Sequence, residues 1–172
     1  MVINKFLSLL NRYKTDLPTF TIVGVGPGDP SLLTIAAMDA IKKAKVIVFP
    51  ISDDNKKSFA AEIVKKHTKF KKNIPIIFPM ARKDVDPDEI WSNAVEKIVK
   101  FIKNGESVVL LCLGDTSIFA SSSNILRIIK HNYPEIITKT IPGISSLSAT
   151  AALNDFDLVK KGETLIIKLS KG

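Results

Sequence analysis

The sequence predicts an α/β fold, a mostly parallel five-stranded sheet flanked by helices. Apolar runs of strand length alternate along the chain with stretches whose apolar residues recur at helical spacing. One run, Ser107 to Leu113 (S-V-V-L-L-C-L), is almost continuously apolar, as a strand covered on both faces must be. Three runs end in small glycine-containing corners, at Gly24, Gly114 and Gly143. In a parallel sheet the carboxyl ends of the strands share one edge, so these corners can converge on one site.

The elements follow in order. Met1 to Leu10 holds apolar residues interrupted by Asn4 and Lys5, with no small-residue cleavage site behind them. It reads as a short amphipathic helix in an N-terminal extension over residues 1–19, not as a secretory signal. Thr21 to Pro30, T-I-V-G-V-G-P-G-D-P, then packs a β-branched strand, a tight turn and a helix start together. Gly24, Gly26 and Gly28 free the backbone to turn or to meet a ligand, and Pro27 stiffens the loop. Asp29 suits an N-cap and Pro30 the first helical position. Leu32, Leu33, Ala36, Ala37, Ala40, Ile41 and Ala44 continue at helical spacing, and Lys45 to Phe49 is the second strand.

Ser58 caps a helix through about His67, and Ile74 to Phe78 is a short strand ending at Pro79. Asp86-Pro87-Asp88-Glu89 is a strong helix start. The stripe Ile90, Trp91, Ala94, Val95, Ile98, Val99 and Ile102 follows, and Asn104-Gly105 ends it. Trp91 is therefore read as a core anchor. After Ser107 to Leu113 come Gly114-Asp115-Thr116-Ser117-Ile118-Phe119 and a helix through about Lys130. Ile136 to Ile141 is the last strand of the sheet. It enters Pro142-Gly143-Ile144-Ser145-Ser146 and an alanine-rich helix, Leu147 to Leu153.

Composition excludes several classes. The 172 residues suffice for one domain with a real core, and 45% hydrophobic with 24% charged residues is ordinary globular usage. No apolar run reaches the length of a membrane span. The single Cys112 rules out an internal disulfide and a cysteine metal cluster, so no metal is assigned and a reducing, cytoplasmic setting is favoured. His67 and His131 sit in no ligand-like spacing and read as surface or capping residues. The net charge of +8 lies in lysine clusters such as Lys42-Lys43-Lys45 and Lys65-Lys66-Lys69-Lys71-Lys72. These form a solvated surface or attract an anionic partner. Nucleic acid is a poor candidate, since arginine is scarce and aromatics are not interleaved with the basic clusters. Dinucleotide and phosphate-loop patterns fail as well. Asp29 stands where G-x-G-x-x-G needs glycine, and no Gly-Lys-Ser or Gly-Lys-Thr follows.

Taken together, G-V-G-P-G-D-P at Gly24 to Pro30, L-G-D at Leu113 to Asp115 and I-P-G-I-S-S at Ile141 to Ser146 resemble the motifs of the tetrapyrrole methylase family. That family uses S-adenosylmethionine to methylate porphyrin-like rings. F-P-I-S at Phe49 to Ser52, I-F-P-M at Ile77 to Met80, S-L-S-A at Ser146 to Ala149 and G-E-T-L at Gly162 to Leu165 are most similar to its precorrin-2 C(20)-methyltransferase branch of cobalamin synthesis. The resemblance runs from about Phe20 and implies a first α/β domain over residues 20–157. Residues 158–172 would begin a second one that is largely missing, with its first strand at Glu163 to Ser170. Thr116 stands where the family usually has proline, and Phe119 where tyrosine is common in this branch.

The resemblance further implies cofactor contacts at Pro27, Leu113, Gly114, Asp115, Ile118, Ser145 and Ser146, and substrate contacts at Asp29 and Phe119. It implies a homodimer and an anionic reduced tetrapyrrole as partner, for which the lysine excess has a use. Asp115 has two readings, as a helix cap after Gly114 or as the carboxylate that orients cofactor or substrate near the sulfonium. Asp29 reads first as a cap. No residue stands out as a general base, so none is assigned as catalytic. Three functions remain open at this level: the methyltransferase, an inactive or partner-dependent fragment of one, and, least favoured, a basic nucleic-acid-binding module.

Overall fold

The computed structural model describes residues 17–52, 57–69, 71–78 and 87–168. The N-terminal stretch Met1 to Leu10 read as a helix lies outside them. Five strands form one sheet in the order β3-β2-β4-β1-β5. They are β1 (Thr19–Gly24), β2 (Val46–Ile51), β3 (Lys72–Ile77), β4 (Val108–Cys112) and β5 (Ile137–Ile141). Every pairing is parallel, so the sheet is more uniform than the mostly parallel one expected. β1 sits between β4 and β5, with Val23 opposite both Leu111 and Ile141.

Among the described residues five α-helices flank the sheet: α1 (Ile35–Lys43), α2 (Phe59–Thr68), α3 (Pro87–Lys103), α4 (Ser122–Asn132) and α5 (Ser146–Leu153). Successive strand side chains point to opposite faces, and the two cores show it. Phe20, Ile22, Val46, Val48, Val108 and Leu110 face α3 and α4, where they pack with Trp91, Val95, Ile98, Ile125 and Ile129. The residues between them in sequence, Val23, Ile47, Val109 and Leu111, face α1 and α2 with Ala37, Ile41, Ile63 and Val64. Trp91 is indeed a core anchor, meeting Phe78 edge to face at 4.8 Å. His67 and His131 are both exposed.

Several boundaries differ from the sequence reading, each for a local reason. Asp29 and Pro30 do not open the long helix. They start a single 3-10 turn, Pro30–Leu32, and α1 begins only after Thr34, whose Oγ1 accepts the Ala37 N–H at 3.1 Å. Leu33, released from the helix, packs against the α1/α2 core. β3 begins at Lys72, two residues before the expected start at Ile74. It is an edge strand paired only with β2, so its first residues are polar and hide the strand pattern. The helix after the second corner starts late, at Ser122. At the other end, 163–168 forms no β-ladder, contrary to the strand expected over Glu163 to Ser170. Leu165, Ile166 and Ile167 are exposed there.

Candidate functional site

Because all five strands run the same way, β1, β4 and β5 deliver their glycine corners to one edge. The first two corners are hydrogen-bonded to each other. Val25 N–H donates to Cys112 O at 2.9 Å, Gly26 N–H to Gly114 O at 3.2 Å, and Gly114 N–H to Gly26 O at 2.8 Å. The third corner then presses onto both. A Cβ built on Gly143 would fall 2.2 Å from Gly114 O and 2.7 Å from Gly24 C, and one built on Gly24 would fall 2.4 Å from Gly143 N. No side chain fits at either position. Gly114, with φ of +73°, also needs glycine for its conformation, and open space lies where its side chain would be.

Asp115 fastens the second corner to the third. Its Oδ1 accepts the Ser117 N–H at 2.8 Å and the Ser117 hydroxyl, and its Oδ2 accepts the Gly143 N–H at 3.0 Å. Partial burial pushes its carboxyl pKa up, but the hydrogen bonds from Ser117, Gly143 and Thr116 outweigh that and hold it below the ordinary aspartate value. The reading of Asp115 as a helix cap is thereby corrected. α4 starts seven positions later at Ser122, and its N-cap, Ser121, makes no side-chain cap bond.

The remaining residues singled out from sequence fall on the same edge, with differing freedom. Asp29 is exposed and its Oδ1 accepts the Ser31 N–H at 2.7 Å, which makes it the cap of the short 3-10 turn. Ser145 is the N-cap of α5. Its Oγ accepts the Ser148 N–H at 3.1 Å, so the hydroxyl of this expected cofactor contact already has a structural bond. Ser146, next to it, is exposed at the first turn of α5. Leu113 and Phe119 are exposed apolar side chains, and Pro27 and Ile118 are half-buried. Phe119 holds a left-handed backbone with φ of +50°, uncommon for an aromatic residue. Pro27, Gly28, Pro30, Phe59, Ile63 and Leu113 line a cavity of about 440 Å³ beside the first corner.

Sequence reasoning missed Ser117, the partner of Asp115. The signal was present, since an aspartate followed two positions later by serine is a standard side-chain-to-backbone turn pattern. It also missed the pair beneath the corner. Burial pushes the Cys112 thiol pKa up, and the buried Ser122 hydroxyl lies near it without a hydrogen bond of regular geometry. A neutral, buried thiol there is no nucleophile. A second cavity, of about 800 Å³, lies at the opposite edge, lined by Thr19 and Ser107 at the starts of β1 and β4 with Lys43 and Lys139. Of the three corner motifs it touches Ile141 alone, at the end of β5.

The family model for tetrapyrrole (corrin/porphyrin) methylases matches residues 19–170. The chain belongs to this family. Among relatives in Methanocaldococcus jannaschii, it is 36% identical over 145 residues to a probable cobalt-precorrin-2 C(20)-methyltransferase, covering 84% of this chain and 61% of that one. It is 34% identical to a cobalt-precorrin-4 C(11)-methyltransferase, over 88% of this chain and 52% of the other. With a uroporphyrinogen-III C-methyltransferase it shares 37% identity, over 74% and 48%. The chain thus spans about half to three-fifths of the length of these relatives. Solved structures show the same fold. The cobalt precorrin-4 methyltransferase CbiF superposes with a TM-score of 0.66 at 20% identity, over 86% of this chain and 55% of that one. A cobalamin-synthesis-related protein, CobF, from Corynebacterium diphtheriae gives 0.68 at 21%, over 86% and 62%.

In this member of the tetrapyrrole methylase family the described residues hold no group of three His, Cys, Asp or Glu side chains placed to bind a metal. None of their helices is long and apolar enough to cross a membrane.

Proposed function

We propose that this chain carries the first-domain half of an S-adenosylmethionine-dependent methyltransferase acting on a reduced tetrapyrrole in cobalamin biosynthesis, with carbon 20 of precorrin-2 as the methylated position. The observation that carries the reading is the fusion of the three glycine corners into one backbone-lined edge. The fit to the cofactor rests on that edge. Gly28 and Gly114 face open space where side chains would stand, leaving room for a ligand to come close to the backbone at an apolar rim of Pro27, Leu113 and Ile118. Adenine and an amino-acid group need such a mixture of flat apolar contact and main-chain hydrogen bonds.

When bound, S-adenosylmethionine supplies a methyl group on a sulfonium, and transfer to a carbon nucleophile is an in-line displacement. The residues of this chain have one task in it, alignment, which contributes up to roughly 7 to 11 kcal/mol in well-oriented systems. Pro27, Leu113, Gly114, Asp115, Ile118, Ser145 and Ser146 would hold the cofactor, Asp115 and Ser145 through their backbone groups. Asp29 and Phe119 stand at the rim where a flat anionic ring would approach. No residue of this chain is assigned as a general base: the reduced tetrapyrrole carbon is itself the nucleophile, the sulfonium leaves as the thioether, and the ring proton displaced by the methyl group can pass to water. The C(20) assignment follows the relative that is 36% identical over 84% of the chain. A homodimer in the cytoplasm accompanies this reading.

A second reading is a partner-dependent fragment, favoured by the exposure of Leu153, Phe156, Leu165 and Ile166 at the end of the described chain. Titration calorimetry with S-adenosylmethionine and S-adenosylhomocysteine tests the site. Saturable binding is expected, and absence of heat with both on folded protein overturns the cofactor assignment. A methylation assay against precorrin-2, precorrin-4 and uroporphyrinogen III then decides the substrate. Binding without turnover of any of them favours the fragment.

A further inference from the structure

The Asp115 carboxylate lies at the centre of the corners, yet both of its oxygens are engaged inside the protein. Oδ1 takes two donors from Ser117 and Oδ2 takes the Gly143 N–H across 28 positions of sequence. The Gly143 bond falls where the three corners are tightest, since Gly143 already abuts Gly114 O and the Gly24 backbone. Ser145, two residues further on, caps α5. Whatever fixes Gly143 therefore fixes the approach to α5 and the Ser145-Ser146 end of the candidate site.

We propose that Asp115 and Ser117 form a positioning staple that clamps the third corner onto the second, and that the Asp115 side chain is not a ligand contact. The proposal rests on reading the corners as a cofactor site. It assigns Ser117 a role, that of locking the carboxylate in the rotamer that reaches Gly143. It also limits what Asp115 offers a bound molecule to its main chain. A carboxylate that bonded the ammonium of the cofactor's amino-acid group would have to give up or share an oxygen already bonded within the protein.

The test uses the whole chain with Asp115→Asn and Ser117→Ala, checked for native circular dichroism, and has two readouts. The first is amide hydrogen exchange over Gly143 and Ile144. The staple predicts about tenfold faster exchange in Asp115→Asn, whose amide nitrogen cannot accept the Gly143 N–H, and a smaller acceleration in Ser117→Ala. Unchanged exchange in both overturns the staple. The second is affinity for S-adenosylhomocysteine beside 5′-methylthioadenosine, which lacks the amino-acid group. A staple weakens both ligands by the same factor, whereas loss confined to S-adenosylhomocysteine makes Asp115 a ligand contact and overturns the proposal. Failure of the unaltered protein to bind either ligand overturns the cofactor reading alone, and the exchange data still decide the staple.

Discussion

Two corners of this molecule share a four-residue pattern and do different work. Gly28-Asp29-Pro30-Ser31 and Gly114-Asp115-Thr116-Ser117 both read Gly-Asp-x-Ser. In each, the aspartate accepts the N–H of the serine two positions on, at 2.7 Å in the first and 2.8 Å in the second. The local turn is the same, but its surroundings are not. Asp29 is exposed and its bond sets up one turn of 3-10 helix. Asp115 follows β4, and its second oxygen reaches Gly143 in the loop after β5. A short pattern thus specifies a turn, and the tertiary position of that turn decides whether it serves itself or holds two loops together.

The strongest way to break the comparison is to attack the contact that only the second corner makes. Gly143→Ala drives a methyl group to within 2.2 Å of Gly114 O, so backbone must move in all three corners. A loss of about 3 kcal/mol in unfolding free energy by urea denaturation is expected. A near-neutral result would mean the corners are loosely held and the comparison fails. Next in size is Asp115→Ala, which leaves the Gly143 N–H without its acceptor. About 1 kcal/mol is expected, reduced from the usual charged-bond value because the carboxylate is partly solvated. Asp29→Ala should lower the denaturation midpoint by less than Asp115→Ala, because its cap serves one exposed turn and the Ser31 N–H turns to water once the carboxylate is gone. Equal losses in the two alanine variants would erase the distinction.

The same contrast explains what could be read in advance. The two-sided core was legible because Phe20 to Val23, Val46 to Val48 and Val108 to Leu111 are apolar enough to mark buried strands, and Ser58 and the Trp91 stripe follow local rules. The three corners were legible because glycine is needed where backbones touch. The start of α1 was not, since Asp29-Pro30 and Thr34 are both valid caps and local preference does not rank them. Packing does, by placing Leu33 against the core. The edge strand β3 was blurred because its exposed start carries Lys72 and Asn73. The Asp115–Gly143 bond was invisible, as no periodicity or motif records that a carboxylate will meet one N–H 28 positions away.

Acid titration sharpens the comparison at the smallest scale. Both carboxyls titrate below the ordinary aspartate value of 3.8. Asp29 is held there by the Ser31 N–H and hydroxyl, while for Asp115 the upward push of burial is outweighed by donors from Ser117, Gly143 and Thr116. A carboxyl whose folded value is depressed contributes stability that is present above its unfolded value and is lost as the pH falls through the folded one. Stability measured by urea unfolding should therefore decline on acidification from just above 3.8, and replacing either aspartate by asparagine should remove its share of that acid limb. The Asp115→Asn curve, lower at neutral pH, should converge with the wild type in acid, where protonation has already weakened the native staple. Asp29→Asn should track the wild type more closely throughout, since its cap survives as a neutral acceptor and joins nothing beyond its own turn. If the two variants flatten the acid limb equally, the Gly143 bond adds nothing to the pull on the Asp115 proton, and the two corners are energetically the same.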